Sequence, residues 1–250
     1  MDKVKIALLT TLLLGIFILI GALVALIVNK KQKIVDFVVG LAFGILGMLM
    51  ATDLLPEVIE KLSIKYIYIF IIFTTIGFFL LKLLDNFIPD HEDKKMTNED
   101  LTNNLVHIGI VTSIALILHN IIEGMAIYST IITETELGLM LTLGVGLHNI
   151  PLGMVIASTF YQSNQNMSKT VLTIILVSIS TFIGGLIMFF LGLTTITDLV
   201  LGILLSLTLG MLIFICFDEL LPRIKTSKNK KTSYIGLTLG VIIIAVAVIL

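Results

Sequence analysis

Charged residues are scarce in this chain. Only 13% of its 250 residues are Asp, Glu, Lys or Arg, whereas 57% are hydrophobic. A water-soluble domain of this length needs a more polar surface, so the composition indicates a membrane protein with several spans. Cys216 is the single cysteine, which excludes an internal disulfide and any zinc site built from two thiolates of this chain. The net charge is −1 and no basic patch is interleaved with aromatic residues, so we expect no nucleic-acid partner.

Long apolar runs make up most of the sequence. A transmembrane helix needs about 20 predominantly apolar residues. Eight runs reach that length: 5–28, 34–60, 64–87, 104–128, 136–160, 169–192, 197–221 and 232–250. The connections are short, except for a charged loop at about 88–103 between the third and fourth runs. We therefore expect an all-α, polytopic membrane protein in which residues 1–250 form a single transmembrane domain of eight helices.

The distribution of positive charge predicts how the spans are oriented. Cytoplasmic loops of membrane proteins carry an excess of Lys and Arg. Eleven of these residues fall in the connections 1–2, 3–4, 5–6 and 7–8, against four on the opposite side. This asymmetry predicts a multi-pass protein of the plasma membrane with both termini outside the cell. It also places the 88–103 loop in the cytoplasm.

The second and seventh runs resemble each other. Run 2 contains Gly-Met-Leu at 47–49 and Asp-Leu-Leu-Pro at 53–56, and run 7 contains Gly-Met-Leu at 210–212 and Asp-Glu-Leu-Leu-Pro at 218–222. The two runs cross the membrane in opposite directions, and inverted repeats of this kind are typical of transporters. The similarity predicts a 3+2+3 arrangement, in which helices 1–3 and 6–8 are repeated halves around helices 4 and 5. The sequence also contains two Gly-x-x-x-Gly pairs, at 40–44 and 236–240, which predict close helix packing.

The two middle runs carry the polar residues. Run 4 contains His-Asn-Ile-Ile-Glu-Gly at 119–124, and run 5 contains His-Asn-Ile-Pro-Leu-Gly at 148–153. His119 and Glu123 share one helix face about 6 Å apart along the axis, and the antiparallel runs bring His148 to a similar depth. Imidazole and carboxylate bind Zn²⁺ and its divalent neighbours, with amide oxygens as weaker ligands. We predict a mid-membrane metal site formed by His119, Asn120, Glu123, His148 and Asn149. The alternative is a hydrogen-bonded cluster that only fixes helix register.

At these motifs the chain resembles the ZIP (Zrt-, Irt-like) family of divalent metal transporters, and within it the GufA-like bacterial branch. The resemblance covers most of the chain and includes the Leu-Leu-Pro steps of runs 2 and 7. It implies a bacterial transporter, not an enzyme, that carries Zn²⁺, or Fe²⁺ or Mn²⁺, toward the cytoplasm as its substrate. It implies no prosthetic group, and it assigns the five site residues named above to the central metal site.

Three departures from the family pattern bear on that site. Ile122 stands where the family usually has proline, and Leu152 stands where it has an acid or histidine. Run 6 has no charged residue at its likely ligand position, near Gly184. The resemblance therefore implies one metal position, where many relatives can build a two-metal centre.

Other ionisable residues could lead an ion to and from the site. We expect Asp53 and Glu57 toward the outer end of helix 2, Asp218 and Glu219 toward the inner end of helix 7, and His107 near the cytoplasmic start of helix 4. Helix-end charges at the headgroup level are the alternative interpretation.

Two rival functions stay open at this point. An intramembrane zinc hydrolase would use His119, Glu123 and His148 as ligands, but it also needs a separate general base. A degenerate homologue would bind a metal or a partner without transporting it. The partners that we expect are the lipid bilayer and a divalent metal ion, and a homodimer is left open.

Overall fold

The computed structural model describes residues 2–26, 32–85, 98–162, 167–227 and 229–249. These parts of the chain contain helices and no strand. The long helices are α1 (Lys3–Leu26), α2 (32–62), α3 (Ile67–Asp85), α4 (Asn98–Thr133), α5 (Thr135–Gln162), α6 (Met167–Phe190), α7 (Asp198–Thr226) and α8 (Lys230–Ile249).

The helices agree with the apolar runs of the sequence. Seven of them, α1 to α7, are long and apolar enough to cross a membrane, and α8 adds a further helix of 20 residues. Helices suit a bilayer because they satisfy their backbone hydrogen bonds internally. The prediction of an all-α polytopic membrane protein is confirmed. One boundary differs, because α4 begins at Asn98, inside the segment predicted as a loop. The first part of that loop, residues 88–97, lies outside the described residues.

The helix contacts have the symmetry of an inverted repeat. The helix α2 packs along α8, and α7 packs along α3. In the same way α1 packs along α5, and α6 packs along α4. Each contact therefore has a counterpart when helices 1–3 are exchanged with 6–8 and helix 4 is exchanged with helix 5. The middle helices thus take part in the repeat as well.

Reciprocal glycine contacts make this symmetry visible at single residues. In four helix pairs, α1 with α5, α4 with α6, α2 with α8 and α3 with α7, glycines on both helices face the partner's backbone. Each glycine faces a carbonyl oxygen of the partner helix, and the partner's own glycine follows three residues after that carbonyl. Around the polar motifs the pairs are Gly21 with Ile150, Gly153 with Ile18, Gly124 with Thr181, and Gly184 with Ile121. In the outer helices they are Gly40 with Ser233, Gly236 with Phe37, Gly44 with Leu237, Gly240 with Leu41, Gly77 with Leu207, and Gly210 with Thr74. A Cβ at any of these glycines would come closer than 3.0 Å to that backbone oxygen, so only glycine permits the observed approach.

The helices α2 and α7 share a second irregularity. Each contains a π-helical turn, Met50–Leu54 in α2 and Ile215–Leu220 in α7, just before a Leu-Pro step. Pro56 and Pro222 have no N–H and their rings crowd the carbonyl four residues back, and the wider turn accommodates both effects. The donors that bond five residues back are Leu55, to Met50, and Leu221, to Cys216. By contrast, α5 stays α-helical through Pro151.

The packing divides the helices into two groups of four. One group contains α1, α4, α5 and α6, and the other contains α2, α3, α7 and α8. Buried aliphatic side chains form the core where α2 and α7 meet α4 and α5. Both polar motifs therefore lie in the first group, next to its boundary with the second.

Candidate metal centre

His119 and Glu123 form the centre of the candidate site on α4. Their side chains are 5% and 10% exposed, so both polar groups lie inside the protein. The Nε2 atom of His119 is 3.7 Å from Oε1 of Glu123, as the one-turn spacing predicts. That separation is too long for a good hydrogen bond between these two atoms, so the imidazole and the carboxylate lie side by side.

The same separation suits a shared metal ion. Zinc binds histidine nitrogen and carboxylate oxygen at about 2.1 Å, so atoms 3.7 Å apart would subtend about 125° at the ion, compared with about 109° in an ideal tetrahedron. A small rotation of either side chain removes the difference. His119 and Glu123 can therefore supply two ligands to one ion.

Asn149 reaches this carboxylate from α5. Its side chain is fully buried, and its amide Nδ2 donates to Oε2 of Glu123 at 3.5 Å. Its Oδ1 accepts no hydrogen bond from the described residues. An amide can bind a cation only through its oxygen. Asn149 must therefore turn its amide over to become a ligand, and in the present orientation it holds the carboxylate in place.

Asn120 is anchored on the other side of α4. Its Nδ2 donates to the backbone carbonyl of Val177 on α6 at 3.2 Å, and the residue is fully buried. Its Oδ1 accepts no hydrogen bond among the described residues. The α6 carbonyl fixes the amide plane, so an acceptor oxygen is held inside the bundle at a buried position. Such an oxygen is suited to a cation or an ordered water molecule.

Acidic residues of α2 approach the site from the neighbouring helix group. Glu57 is within electrostatic range of Glu123, and Asp53 is within range of Glu57. The nearby cation for Glu57 is Lys61, one turn along the same helix. Glu57 on α2 therefore lies within electrostatic range of the candidate centre, and its role as a pathway residue stays a prediction.

The acids of α7 have other surroundings. Asp218 lies 3.5 Å from the ammonium of Lys82 on α3, at a partly exposed position. Glu219 interacts electrostatically with Arg223 on the next turn of α7. Both carboxylates therefore have a cationic neighbour that a passing metal ion would have to compete with.

Two predicted residues fall where the structure gives no side-chain description. The backbone places His107 on α4 and His148 on α5, directly before Asn149, but their side chains lie outside the described part of the chain. Among the described side chains, no three of His, Cys, Asp and Glu converge closely enough to hold a metal ion. The described part of the centre thus consists of one imidazole, one carboxylate and two amides.

Comparison with known proteins identifies the family. A family model described as ZIP zinc transporter matches residues 89–247, which is more than half of the chain. The chain belongs to the ZIP family. The zinc transporter ZupT of Oceanobacillus iheyensis is 30% identical over 100% of this chain and 99% of its own length. The zinc transporter ZupT of Chlorobium limicola is 32% identical over 98% and 97% of the two lengths. That of Clostridium perfringens is 30% identical over 100% and 97%.

Membership of the ZIP family argues against one of the two rival functions, the intramembrane hydrolase. It places the chain among membrane transporters of metal ions and not among intramembrane hydrolases. The departures seen in the sequence also have a structural counterpart, because Leu152 is buried in the apolar core beside the site. An apolar side chain at that position offers no ligand atom.

The sequence did not reveal how α6 takes part in the site. The carbonyl of Val177 anchors Asn120, and Ser180 donates to the same oxygen at 2.6 Å. A backbone oxygen carries no signature in the residue types. The glycine spacing held the only signal, because Gly124 and Gly184 bring α4 and α6 into backbone contact beside the motif.

Proposed function

We propose that this ZIP protein carries a divalent transition-metal cation, with Zn²⁺ as the principal substrate, across the bacterial plasma membrane into the cytoplasm. One observation carries the proposal: the imidazole of His119 and the carboxylate of Glu123 lie buried 3.7 Å apart, with the amide of Asn149 on the same carboxylate. Burying these groups in a membrane is costly unless they are used. Fe²⁺ and Mn²⁺ have compatible ligand preferences and are the alternative substrates.

The ligand set explains how an ion could be both bound and released. Glu123 supplies the charge and His119 the nitrogen. His148 and Asn120 complete the centre, together with Asn149 once its amide has turned over. With a single carboxylate the ion is held less tightly than in a closed structural site, which has four firm protein ligands. A transported ion must leave, so a site of this kind suits transport.

The two helix groups supply a route for alternating access. The main ligands belong to the group of α1, α4, α5 and α6, whereas Glu57 belongs to α2 in the other group. Movement of one group against the other would change the distance between Glu57 and Glu123, which now interact electrostatically. Glu57, with Asp53 behind it, would pass the ion to the centre, and Asp218, Glu219 and His107 would receive it on the inner side.

The direction of transport rests on the charge distribution. The excess of Lys and Arg in the connections 1–2, 3–4, 5–6 and 7–8 supports a cytoplasmic location for these loops and an outer location for both termini. Uptake then runs from the side of the α2–α3 and α4–α5 connections toward the side of the charged loop.

A second candidate function is metal binding without transport. It is favoured by Leu152, which is buried in the apolar core and offers no ligand atom where the family has an acid or a histidine. A chain that lacks one ligand of the family's site could bind a metal ion without moving it across the membrane.

Radioactive zinc uptake into proteoliposomes separates these functions. We expect uptake by the unaltered protein, a loss of uptake in Glu123→Ala and His119→Ala, and normal uptake in Glu136→Ala, which removes an exposed carboxylate from the first turn of α5. Unchanged uptake in both site variants would overturn the proposed centre. Zinc binding without uptake by the unaltered protein would favour the second function.

A further inference from the structure

A basic cavity opens where α2 and α8 begin. Its volume is about 490 Å³, and it belongs to neither α4 nor α5, so it is separate from the candidate metal centre. Its lining consists of three ammonium groups, two hydroxyls and one amide, from Lys33, Lys230, Lys231, Ser227, Thr232 and Asn229. The proposed transport function makes no use of these residues.

The floor of the cavity is fixed by a polar network. The amide Nδ2 of Asn229 donates to Oδ2 of the buried Asp36 at 2.8 Å, and its backbone N–H donates to Oγ of Ser227 at 3.1 Å. Ser233 donates to the same hydroxyl oxygen at 3.3 Å. Arg223 interacts electrostatically with Asp36. The network therefore fixes the position of Asn229 at the start of α8, and Asn229 and Arg223 offset the negative charge of Asp36.

The surroundings of the cavity are positive. The sequence has no Asp or Glu between positions 3 and 35 or between 220 and 250, and Asp36 is the first acid on α2. Lys33, Lys230 and Lys231 are exposed. The positive ends of the α2 and α8 dipoles point to the same place, because both helices begin there. This combination favours an anion.

A shallow apolar groove lies between exposed side chains of α8, on the helix face that leads away from Lys231. It has a volume of about 390 Å³ and is lined by Tyr234, Ile235, Thr238, Leu239 and Ile242. From Lys231 the lining residues follow at three, four, seven, eight and eleven positions, so they continue on one face of the helix. Eleven residues of helix rise about 16 Å, which matches the depth of about 15 Å of one leaflet's hydrocarbon.

We propose that the cavity and the groove together bind one anionic phospholipid. The phosphate lies among Lys33, Lys230 and Lys231, with the hydroxyl of Thr232 and the amide of Asn229 as additional donors. One acyl chain lies in the groove from Tyr234 to Ile242. A free phosphate would share the head-group chemistry but would leave the groove without an occupant. The basic cavity and the apolar groove follow one another along α8 over about the depth of one leaflet, and a phospholipid accounts for both.

The test measures lipid binding to the purified full-length protein by native mass spectrometry and by thermal unfolding in detergent. Phosphatidylglycerol, phosphatidylcholine and inorganic phosphate are added separately. The variant Lys33→Gln/Lys230→Gln/Lys231→Gln removes the basic cluster. The control Lys5→Gln/Lys65→Gln/Lys169→Gln removes three exposed lysines that line neither the cavity nor the groove. A second variant, Thr238→Trp, fills the groove without changing the charge.

Phosphatidylglycerol should bind and raise the melting temperature of the unaltered protein and the control, and phosphatidylcholine should do so less. The triple variant should weaken phosphatidylglycerol binding by roughly 100-fold, which is the combined effect expected of three interfacial lysines. Thr238→Trp should weaken it as well, and this arm decides the question if the triple variant does not fold. Equal binding in both site variants and the control would overturn the proposal. Protection by inorganic phosphate alone would overturn the lipid assignment. A dimer of the unaltered protein that Thr238→Trp disrupts, with lipid binding unchanged, would also overturn it.

Discussion

The glycine contact between α4 and α6 offers a sharp test of the packing that holds the metal centre. Gly124 follows Glu123 directly, and its Cα faces the carbonyl of Thr181 on α6. In Gly124→Ala the new Cβ would lie closer than 3.0 Å to that oxygen. A backbone carbonyl cannot rotate away as a side chain can, so the two helices must move apart. The bond from Asn120 to the carbonyl of Val177 crosses the same contact and would lengthen with it.

The size of the effect follows from two opposing contributions. Alanine is favoured over glycine in a helix interior by about 1 kcal/mol. Overpacking a tight contact costs about 1–3 kcal/mol, and a backbone obstacle belongs at the upper end of that range. We therefore expect Gly124→Ala to be destabilised by about 1–2 kcal/mol. Gly144→Ala, on α5, is the matched control because a Cβ there meets nothing within 4 Å. It should keep the helix gain of up to about 1 kcal/mol.

Thermal unfolding of both purified variants in the same detergent measures this difference. The two melting temperatures should differ by about 5–10 °C, with Gly124→Ala lower, for a chain of this size. Zinc uptake by Gly124→Ala should fall as well, because the helix that carries His119 and Glu123 is displaced. The reasoning is refuted if Gly124→Ala melts at the same temperature as Gly144→Ala or above it.

Three further substitutions test other parts of the structure. Asn149→Asp places a second carboxylate next to the one already in the centre, so it should lower the melting temperature without metal, tighten zinc binding and slow uptake; weaker zinc binding would contradict this. Asp36→Asn removes the charge of a buried carboxylate that faces the half-buried guanidinium of Arg223. Unfolding should become easier by about 1.5–3 kcal/mol, and a melting temperature at or above that of the unaltered protein would refute the role of the network. Lys82→Gln breaks a partly exposed ion pair with Asp218 and should change stability by less than about 1 kcal/mol; a larger loss would mean that the pair is shielded from solvent.

The architecture could be predicted from the sequence because membrane helices leave a strong signal. Runs of about 20 apolar residues fix the number and the approximate bounds of the spans. The inverted repeat was visible only in the short similarity between runs 2 and 7. The structure shows the inverted repeat more clearly than the sequence does. Matching π-helical turns precede Pro56 and Pro222, and reciprocal glycines pair the helices. Glycine spacing predicted contacts but not partners, because many helix pairs can use the same small residues.

The candidate centre was predictable in its residue types and less so in its geometry. The one-turn spacing of His119 and Glu123 dictates their separation, and the structure gives the expected neighbourhood. The role of Asn149 as a donor to Glu123 depends on the relative rotation of two helices, which the sequence does not specify. The pairing of Asp218 with Lys82 of α3 likewise depends on tertiary packing. Asp36 escaped notice because a single acid near a helix end looks like an interfacial charge.

The central claim is that Glu123 is the charged ligand of a single metal position. Equilibrium zinc binding to purified protein, compared for the unaltered chain, Glu123→Gln and Glu136→Gln, tests it most directly. We predict one high-affinity zinc ion per chain, unchanged in Glu136→Gln, which neutralises an exposed carboxylate. In Glu123→Gln the affinity should fall at least about 100-fold, because removing one member of a buried charge pair costs about 3–5 kcal/mol. Unchanged zinc affinity in Glu123→Gln, or two high-affinity ions per chain, would contradict the account.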